Sequence, residues 1–307
     1  MSRDETAKQT AAYWAYRGAE AAAMSLPESV GRRAFAMLAG IVHRRMDGVR
    51  ATVAANQARV LGLDVDDERV RLSTRDAFDL YGRYWYDTFR LRALPREEMR
   101  ARTDMVDAHN IGEALAKGKG CICVLPHMGN WDLAGHYLAT DGYPIAAVAE
   151  ELKPARLSEL FVRHREELGM RIVPLTKNSH VGQQLKQLLS ENWVVALVAD
   201  RDLSGRGIEV EMFGAPRRVP AGPALLSLTS DAPILVCPVY TLPGGWQVRI
   251  GAPLEFERTG DTRADVTAIS RLMAAGFERA IAAQPSDWHM FQPAWDEVAE
   301  RERAPAR

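Results

Sequence analysis

His127 stands five residues ahead of Asp132 in VLPHMGNWDLAG (124–135), and no other spacing in the chain carries as much chemical content. An α-helix turns about 100° per residue, so two helical positions five apart point about 140° away from each other and cannot meet. The pair meets only if His127 precedes a helix and the chain turns between the two. Pro126 ends the apolar run before it, and Gly129-Asn130 supplies a turn with Asn130 as a helix N-cap. Asp132 then falls in the first helical turn, where the dipole favours a carboxylate. So placed, it accepts a hydrogen bond from one ring nitrogen of His127 and leaves the other as a base. Backbone N–H groups of the same turn are available to a developing oxyanion.

Other chemistries use the same residues. Asn130 or Asp132 can be an N-cap and nothing more, with His127 a polar loop residue. A metal site would recruit His136, four residues after Asp132 on the same helix face, but no HExxH, cysteine pair or carboxylate cluster accompanies it. A metallophosphatase would read GNHD or GNHE, and Trp131 stands where that histidine belongs. Cys121 and Cys123 lie in a strand-like run ahead of the turn, and no GxSxG occurs, so nucleophilic catalysis lacks its residue. A His-Asp pair without a protein nucleophile deprotonates a substrate hydroxyl or, in a hydrolase such as a thioesterase, water.

The elements that must position this pair change character along the chain. The first ~110 residues read as helices, over 5–23, 27–46 and 66–92. In 27–46 an apolar middle is flanked by Arg32 and Arg33 on one side and Arg44 and Arg45 on the other. That pattern suits a helix lying in a membrane interface, or a core helix with solvated ends. Phe78, Tyr81, Trp85 and Phe89 share one helix face, as core or as the lining of an apolar groove. From 120 onward CICVL, IAAVA, RIVPL, WVVALVA and ILVCPVY alternate with helical stretches at 131–140, 154–168, 179–191 and 221–230. This predicts an α/β fold: a central, mostly parallel mixed sheet flanked by helices on both faces, with the helical N-terminal region packed on it. WQVRIG (246–251) adds a strand and 262–283 a helix. The chain reads as a single domain over 1–307, with a helical part at 1–118, an α/β core at 119–296 and a flexible tail at 297–307.

Composition sets the compartment. Hydrophobic residues make up 47% of the 307, charged ones 26%, and the formal net charge is −1, so no basic stripe points to nucleic acid. Of the 39 Lys and Arg residues only six are lysines, which with abundant Ala and Val suggests a high-GC genome. The polar start MSRDETAKQT has no signal-peptide core, and no apolar run reaches the ~20 residues that cross a bilayer. Three cysteines without metal-like spacing fit buried thiols in a reducing compartment. Composition alone fits a cytosolic protein.

At this point the residues resemble a family. The HxxxxD of PHMGNWD is similar to the glycerolipid acyltransferase superfamily, and its HxGNWD form to the lipid A-type lauroyl/myristoyl acyltransferase branch. Within that branch the chain is most like the actinobacterial enzymes that acylate phosphatidylinositol mannosides. The resemblance covers roughly 25–295. VADRDLSGRGIEVEMFG (198–214), RRVPAGPALLSLTSDAPILVCPVY (217–240) and the aromatic QPSDWHMFQPAW (284–295) agree with it. Two departures stand out: no serine lies within the HxxxxD block, which favours the glycolipid branch, and no amino-terminal anchor is present, which puts lipid A itself in doubt.

The resemblance implies transfer of a long acyl chain, palmitoyl by preference, from acyl-CoA as donor substrate, with no cofactor and no metal. The acceptor is a mannose hydroxyl of a membrane glycolipid. Amphipathic N-terminal helices then hold the enzyme peripherally on the cytoplasmic side of the cell membrane. His127 is the base and Asp132 its orienter. By the rule that ligands gather at the carboxyl edge of a parallel sheet, Glu150, Asp200, Arg201 and Asp202 are substrate-binding candidates. A carboxylate among them binds sugar hydroxyls or assists His127, and Arg201 meets a phosphate. Arg165, with Arg163, is a further phosphate candidate. Arg217 and Arg218 are candidates for a CoA phosphate, and Gly222, after Pro220, for an anion at a helix N-terminus. Each of these charges also has an ordinary surface explanation.

Overall fold

The computed structural model describes residues 6–176, 180–202 and 205–295. Four helices form the front: α1 (Ala7–Ser25), α2 (Glu28–Arg45), α3 (Asp47–Leu61) and α4 (Glu68–Arg90). Helix α4 is the axis of this part. Phe35 of α2 packs edge-on against Tyr86 and Phe89 of α4. Gly31 permits the contact, since a Cβ there would stand 2.5 Å from the Tyr86 ring.

After α5 (Arg96–Ala101) comes β1 (Thr103–Val106), so the segment predicted as wholly helical contains a strand. Then follow α6 (His109–Leu115), β2 (Cys121–Leu125), α7 (Trp131–Thr140), β3 (Ile145–Glu150), α8 (Ala155–Glu167), β4 (Arg171–Leu175), α9 (Val181–Ser190) and β5 (Val194–Val198). A hairpin of β6 (Ile208–Met212) and β7 (Ala215–Val219) precedes α10 (Gly222–Ser230), β8 (Ile234–Val236), β9 (Val239–Leu242), β10 (Gly245–Arg249) and α11 (Thr262–Ala283).

The main sheet has the order β4-β3-β5-β2-β8, every neighbouring pair parallel. Parallel strands need crossovers, and the helices between them cover both faces. Ile122, Val124, Ala146 and Val195 pack on one face against Leu185 and Leu188 of α9, Leu226 of α10 and Met273 and Phe277 of α11. Cys121, Cys123, Ile145 and Val194 pack on the other against Leu133 and Leu138 of α7 and Trp246 and Val248 of β10. The α/β expectation holds, with two refinements. The antiparallel pairing sits in a small second sheet, β1-β10-β9, and in the β6–β7 hairpin. The run ILVCPVY, read as one strand, is divided: Pro238 cannot donate to a ladder, so β8 ends before it in the main sheet and β9 begins after it in the small one. The tail expected at 297–307 lies outside the described residues.

Candidate active site

Strand β2 runs toward Pro126, and the chain turns at 127–130 before entering α7. Gly129 has φ +58, and a Cβ there would stand 2.1 Å from the Val239 carbonyl oxygen, so this turn requires glycine. The Asn130 side chain caps α7 by accepting from the Leu133 N–H at 2.9 Å. His127 thus lies before the helix and Asp132 in its first turn, as the helical geometry demanded.

The two do not pair. His127 Nδ1 lies 2.5 Å from Oδ1 of Asp200, whose residue is wholly buried just past the end of β5. Register explains the match. Leu125 of β2 and Val198 of β5 are direct partners, so His127 and Asp200 each stand two residues beyond, at one level and on one face of adjacent strands. Burial alone would raise the Asp200 pKa. The charge and hydrogen bond of His127, then the Arg217 charge and the Trp288 N–H, outweigh it and hold the carboxyl well below its usual range.

Asp132 has a different set of partners. Arg165 Nε of α8 donates to its Oδ1 at 2.6 Å, and the Tyr84 hydroxyl of α4 donates to its Oδ2 at 3.2 Å. Burial would lower the Arg165 pKa, but the Asp132 charge and hydrogen bond carry it upward. Burial and the Asp132 charge push the Tyr84 phenol far above its ordinary value. Asp132 therefore ties α7 to α8 and α4 rather than orienting His127. Arg165, nominated for a phosphate, is the partner of a buried carboxylate instead. Of the amides in the turn, Met128 N donates to Pro126 O and Gly129 N to Asp287 O.

The remaining candidates divide. Glu150 and Arg201 face each other, 3.5 Å apart, on the wall of the cavity that holds His127. Gly222 opens α10 and lines the same cavity. Asp202 accepts the Gly207 N–H at 2.6 Å, closing a loop. Arg218 is exposed and donates to Gly205 O at 2.8 Å. Arg217 is only 5% exposed, its guanidinium set over the indoles of Trp288 and Trp295, so it is not placed to meet a CoA phosphate. His136 Nδ1 lies 2.9 Å from Leu168 O. Among the described residues no group of three or more His, Cys, Asp or Glu side chains has metal-site geometry.

The cavity encloses about 750 Å³, within the range of small-molecule sites. Its lining includes His127, Trp131 and Arg201, with Tyr81, Tyr84 and Trp85 of α4. The aromatic face is thus both things the sequence allowed: Phe78 and Phe89 are core, Tyr81 and Trp85 line a cavity. One lobe runs down the sheet in layers set by register. Leu125, Val198 and Ala149 are followed by Cys123, Ala196 and Ala147, and then by Ile145. Small side chains in the second layer keep the lobe open. From the level of His127 to that of Ile145 is six residue steps, about 20 Å. A lipid leaflet measures ~15 Å, so a long acyl chain fits that depth.

Sequence reasoning missed three further residues here. Trp288 donates to Oδ2 of Asp200 at 2.8 Å, Tyr84 donates to Asp132, and His289 lies buried on the cavity wall. Each comes from a distant element, and only the tertiary fold assembles them.

His127, hydrogen-bonded to a buried carboxylate, lines a largely apolar cavity on an α/β sheet, an arrangement compatible with the acyl transfer that the HxGNWD motif suggested. The sequence matches the profile of bacterial lipid A biosynthesis acyltransferases over residues 2–297. It is 37% identical over 306 residues to a phosphatidylinositol mannoside acyltransferase of Mycobacterium tuberculosis, covering 97% of this chain and 93% of that one. It is 36% identical over 275 residues to the protein so named in Mycolicibacterium smegmatis, covering 88% and 87%. The chain belongs to the bacterial lipid A biosynthesis acyltransferase family, and it is an acyltransferase of glycolipid biosynthesis.

Proposed function

We propose that this enzyme transfers a long-chain acyl group, palmitoyl by preference, from acyl-CoA to a mannose hydroxyl of a phosphatidylinositol mannoside. The observation that carries the reading is His127, hydrogen-bonded to a buried carboxylate, opening onto a lobe deep enough for a long chain. The names of the relatives supply the acceptor.

In this mechanism the free ring nitrogen of His127 takes the proton of the acceptor hydroxyl as its oxygen attacks the thioester carbonyl. Asp200 stabilises the imidazolium. The tetrahedral intermediate collapses, the C–S bond breaks, and the imidazolium returns its proton to the departing thiolate. No acyl-enzyme forms. Glu150 and Arg201, paired on the cavity lining, are the groups we assign to the sugar hydroxyls and a phosphate of the acceptor.

Access to a membrane acceptor is supported by α2. Its buried side, with Gly31 and Phe35, packs on α4. Its other side exposes Val30, Met37, Leu38 and Ile41, with Arg33, Arg44 and Arg45 around them. An apolar stripe flanked by arginines suits the surface of an anionic bilayer. Among the described residues no helix is long and apolar enough to cross one. Attachment on the cytoplasmic side, where acyl-CoA is available, follows from the proposed donor.

Incubation with palmitoyl-CoA and phosphatidylinositol mannosides, read by mass spectrometry, tests the reaction. The expected product is heavier by one palmitoyl group, and His127→Ala abolishes it. Free palmitate as the sole product would instead establish a thioesterase.

A further inference from the structure

Asp200 is fixed by more than the histidine it serves. Its Oδ1 faces His127 Nδ1, while its Oδ2 accepts the indole N–H of Trp288. Trp288 is 1% exposed, and an indole only donates, so it cannot exchange a proton with the carboxylate. Behind the indole lies Arg217 of β7, its guanidinium carbon 5.2 Å from the Trp288 ring and 5.5 Å from that of Trp295. One Arg217 nitrogen donates to the Asp200 main-chain oxygen, and among the described residues its Nε and Nη1 have no hydrogen-bond partner. The cation is therefore held by two indole faces rather than by a carboxylate of its own. Its charge remains available to Asp200.

The same C-terminal segment holds the histidine. His289 N donates to His127 O at 2.7 Å, and Asp287 O accepts from Gly129 N at 3.1 Å. His289 Nε2 lies 3.0 Å from Gly129 O, and a carbonyl only accepts, so this ring nitrogen carries the proton. Burial pushes the His289 pKa down to about 3, so the ring stays neutral through the working range. Residues 287–289 thus touch both sides of the dyad, the turn bearing the base and the carboxylate behind it.

We propose that Trp288, buttressed by Arg217, is a positioning residue for the acyl-transfer base: its N–H fixes the Asp200 carboxylate so that one oxygen alone is presented to His127. This rests on the reading of His127 as the base. A core tryptophan of this size would be explained by packing alone, and packing makes no claim on the pH dependence of the reaction. The N–H and the Arg217 charge both draw electron density from the carboxylate. Without either one, Asp200 holds the protonated imidazole more firmly, and a higher pH is needed to free the base.

The test is the pH profile of kcat/KM for palmitoyl transfer by the full chain carrying Trp288→Phe, Arg217→Met or Arg217→Lys. Trp288→Phe keeps the ring and loses the donor. It lowers kcat about tenfold, leaves KM for palmitoyl-CoA within about twofold, and moves the acid limb up by ~0.5 pH unit. Arg217→Met moves the limb in the same direction and Arg217→Lys brings it back. Limbs that stay in place or move down in both Trp288→Phe and Arg217→Met overturn the proposal. Should Trp288→Phe not fold, the Arg217→Met and Arg217→Lys pair decides it in the same way. His127→Ala run alongside separates the two readings. Activity surviving in it removes the assigned base, whereas an inactive His127→Ala with unmoved limbs in the other variants removes only the positioning role.

Discussion

Two buried carboxylates of this fold, Asp132 and Asp200, have different partners. Asp132 follows the histidine by five residues and is bound to Arg165 and Tyr84. Asp200 follows it by seventy-three residues and is bound to the histidine itself. Each has a cation and an aromatic donor: Arg165 and Tyr84 for the first, Arg217 and Trp288 for the second. What separates them is the element that carries them. A residue two places past a strand shares a level with its counterpart on the neighbouring strand, whereas a residue in the first turn of a helix is directed toward the helices packed around it. Sheet register, not proximity in sequence, selects the partner of His127.

Breaking each carboxylate in turn should therefore give different phenotypes. The largest effect is expected from Asp200→Asn, which keeps the shape and removes the charge behind the imidazole. Palmitoyl transfer falls about 10²–10⁴-fold, with the fold intact by circular dichroism. A variant retaining more than a tenth of wild-type activity would show that Asp200 is not the working partner. Asp132→Asn should act on stability instead. Removing one member of a buried ion pair costs about 3–5 kcal/mol, read as a lower Tm, while the acid limb of the pH profile stays in place. The double change Asp132→Leu with Arg165→Met removes both charges and should recover most of that loss, since an apolar replacement of a buried pair is often neutral. No such rescue is expected for Asp200, whose charge the proposed reaction uses.

The strap at 287–289 adds a pH dependence of its own. Burial raises the Asp287 pKa to about 6, against the N–H bond from Thr241 that lowers it. A carboxyl raised on folding binds its proton more tightly in the native state. Its contribution is therefore complete below about pH 4 and lost as pH rises through 6, roughly 3 kcal/mol for a shift of this size. Asp287→Asn should match the wild type at pH 4 and unfold at a higher denaturant concentration at pH 8. Equal midpoints at both pH values would exclude a raised pKa.

The difference between the carboxylates also marks what the sequence could reveal. The alternation of apolar runs and helical stretches was enough to predict strands at 121–125, 145–149 and 171–175 and the helices between them. Local chemistry was legible as well: Asn130 caps α7, and His127 precedes the helix. Strand order was not, because nothing in CICVL or WVVALVA says that the two are neighbours, and without that fact Asp200 is one acid among several at a sheet edge. The motif spacing then favoured Asp132. Arg217 was misread for a similar reason. RRV alternates along β7, so one arginine of the pair faces the tryptophans and its neighbour Arg218 faces solvent. A positive pair in sequence became one buried cation and one exposed one. Trp288 carried a signal only as part of an aromatic ending, and its duty depends on a contact eighty-eight residues away.

The smallest effect gives the finest discrimination, because Tyr84 is to Asp132 what Trp288 is to Asp200. Each aromatic group donates one hydrogen bond to the second oxygen of a buried carboxylate. Tyr84→Phe removes only the hydroxyl, and Arg165 remains to satisfy Asp132. The cost should be about 1 kcal/mol of stability, with the acid limb unchanged, because the carboxylate that Tyr84 bonds is not the one paired with His127. Trp288→Phe, an equally small change, should move that limb. A Tyr84→Phe protein whose limb moves as far as that of Trp288→Phe would mean that the two carboxylates act on the histidine as one electrostatic unit, and the division of labour between helix and strand would have to be given up.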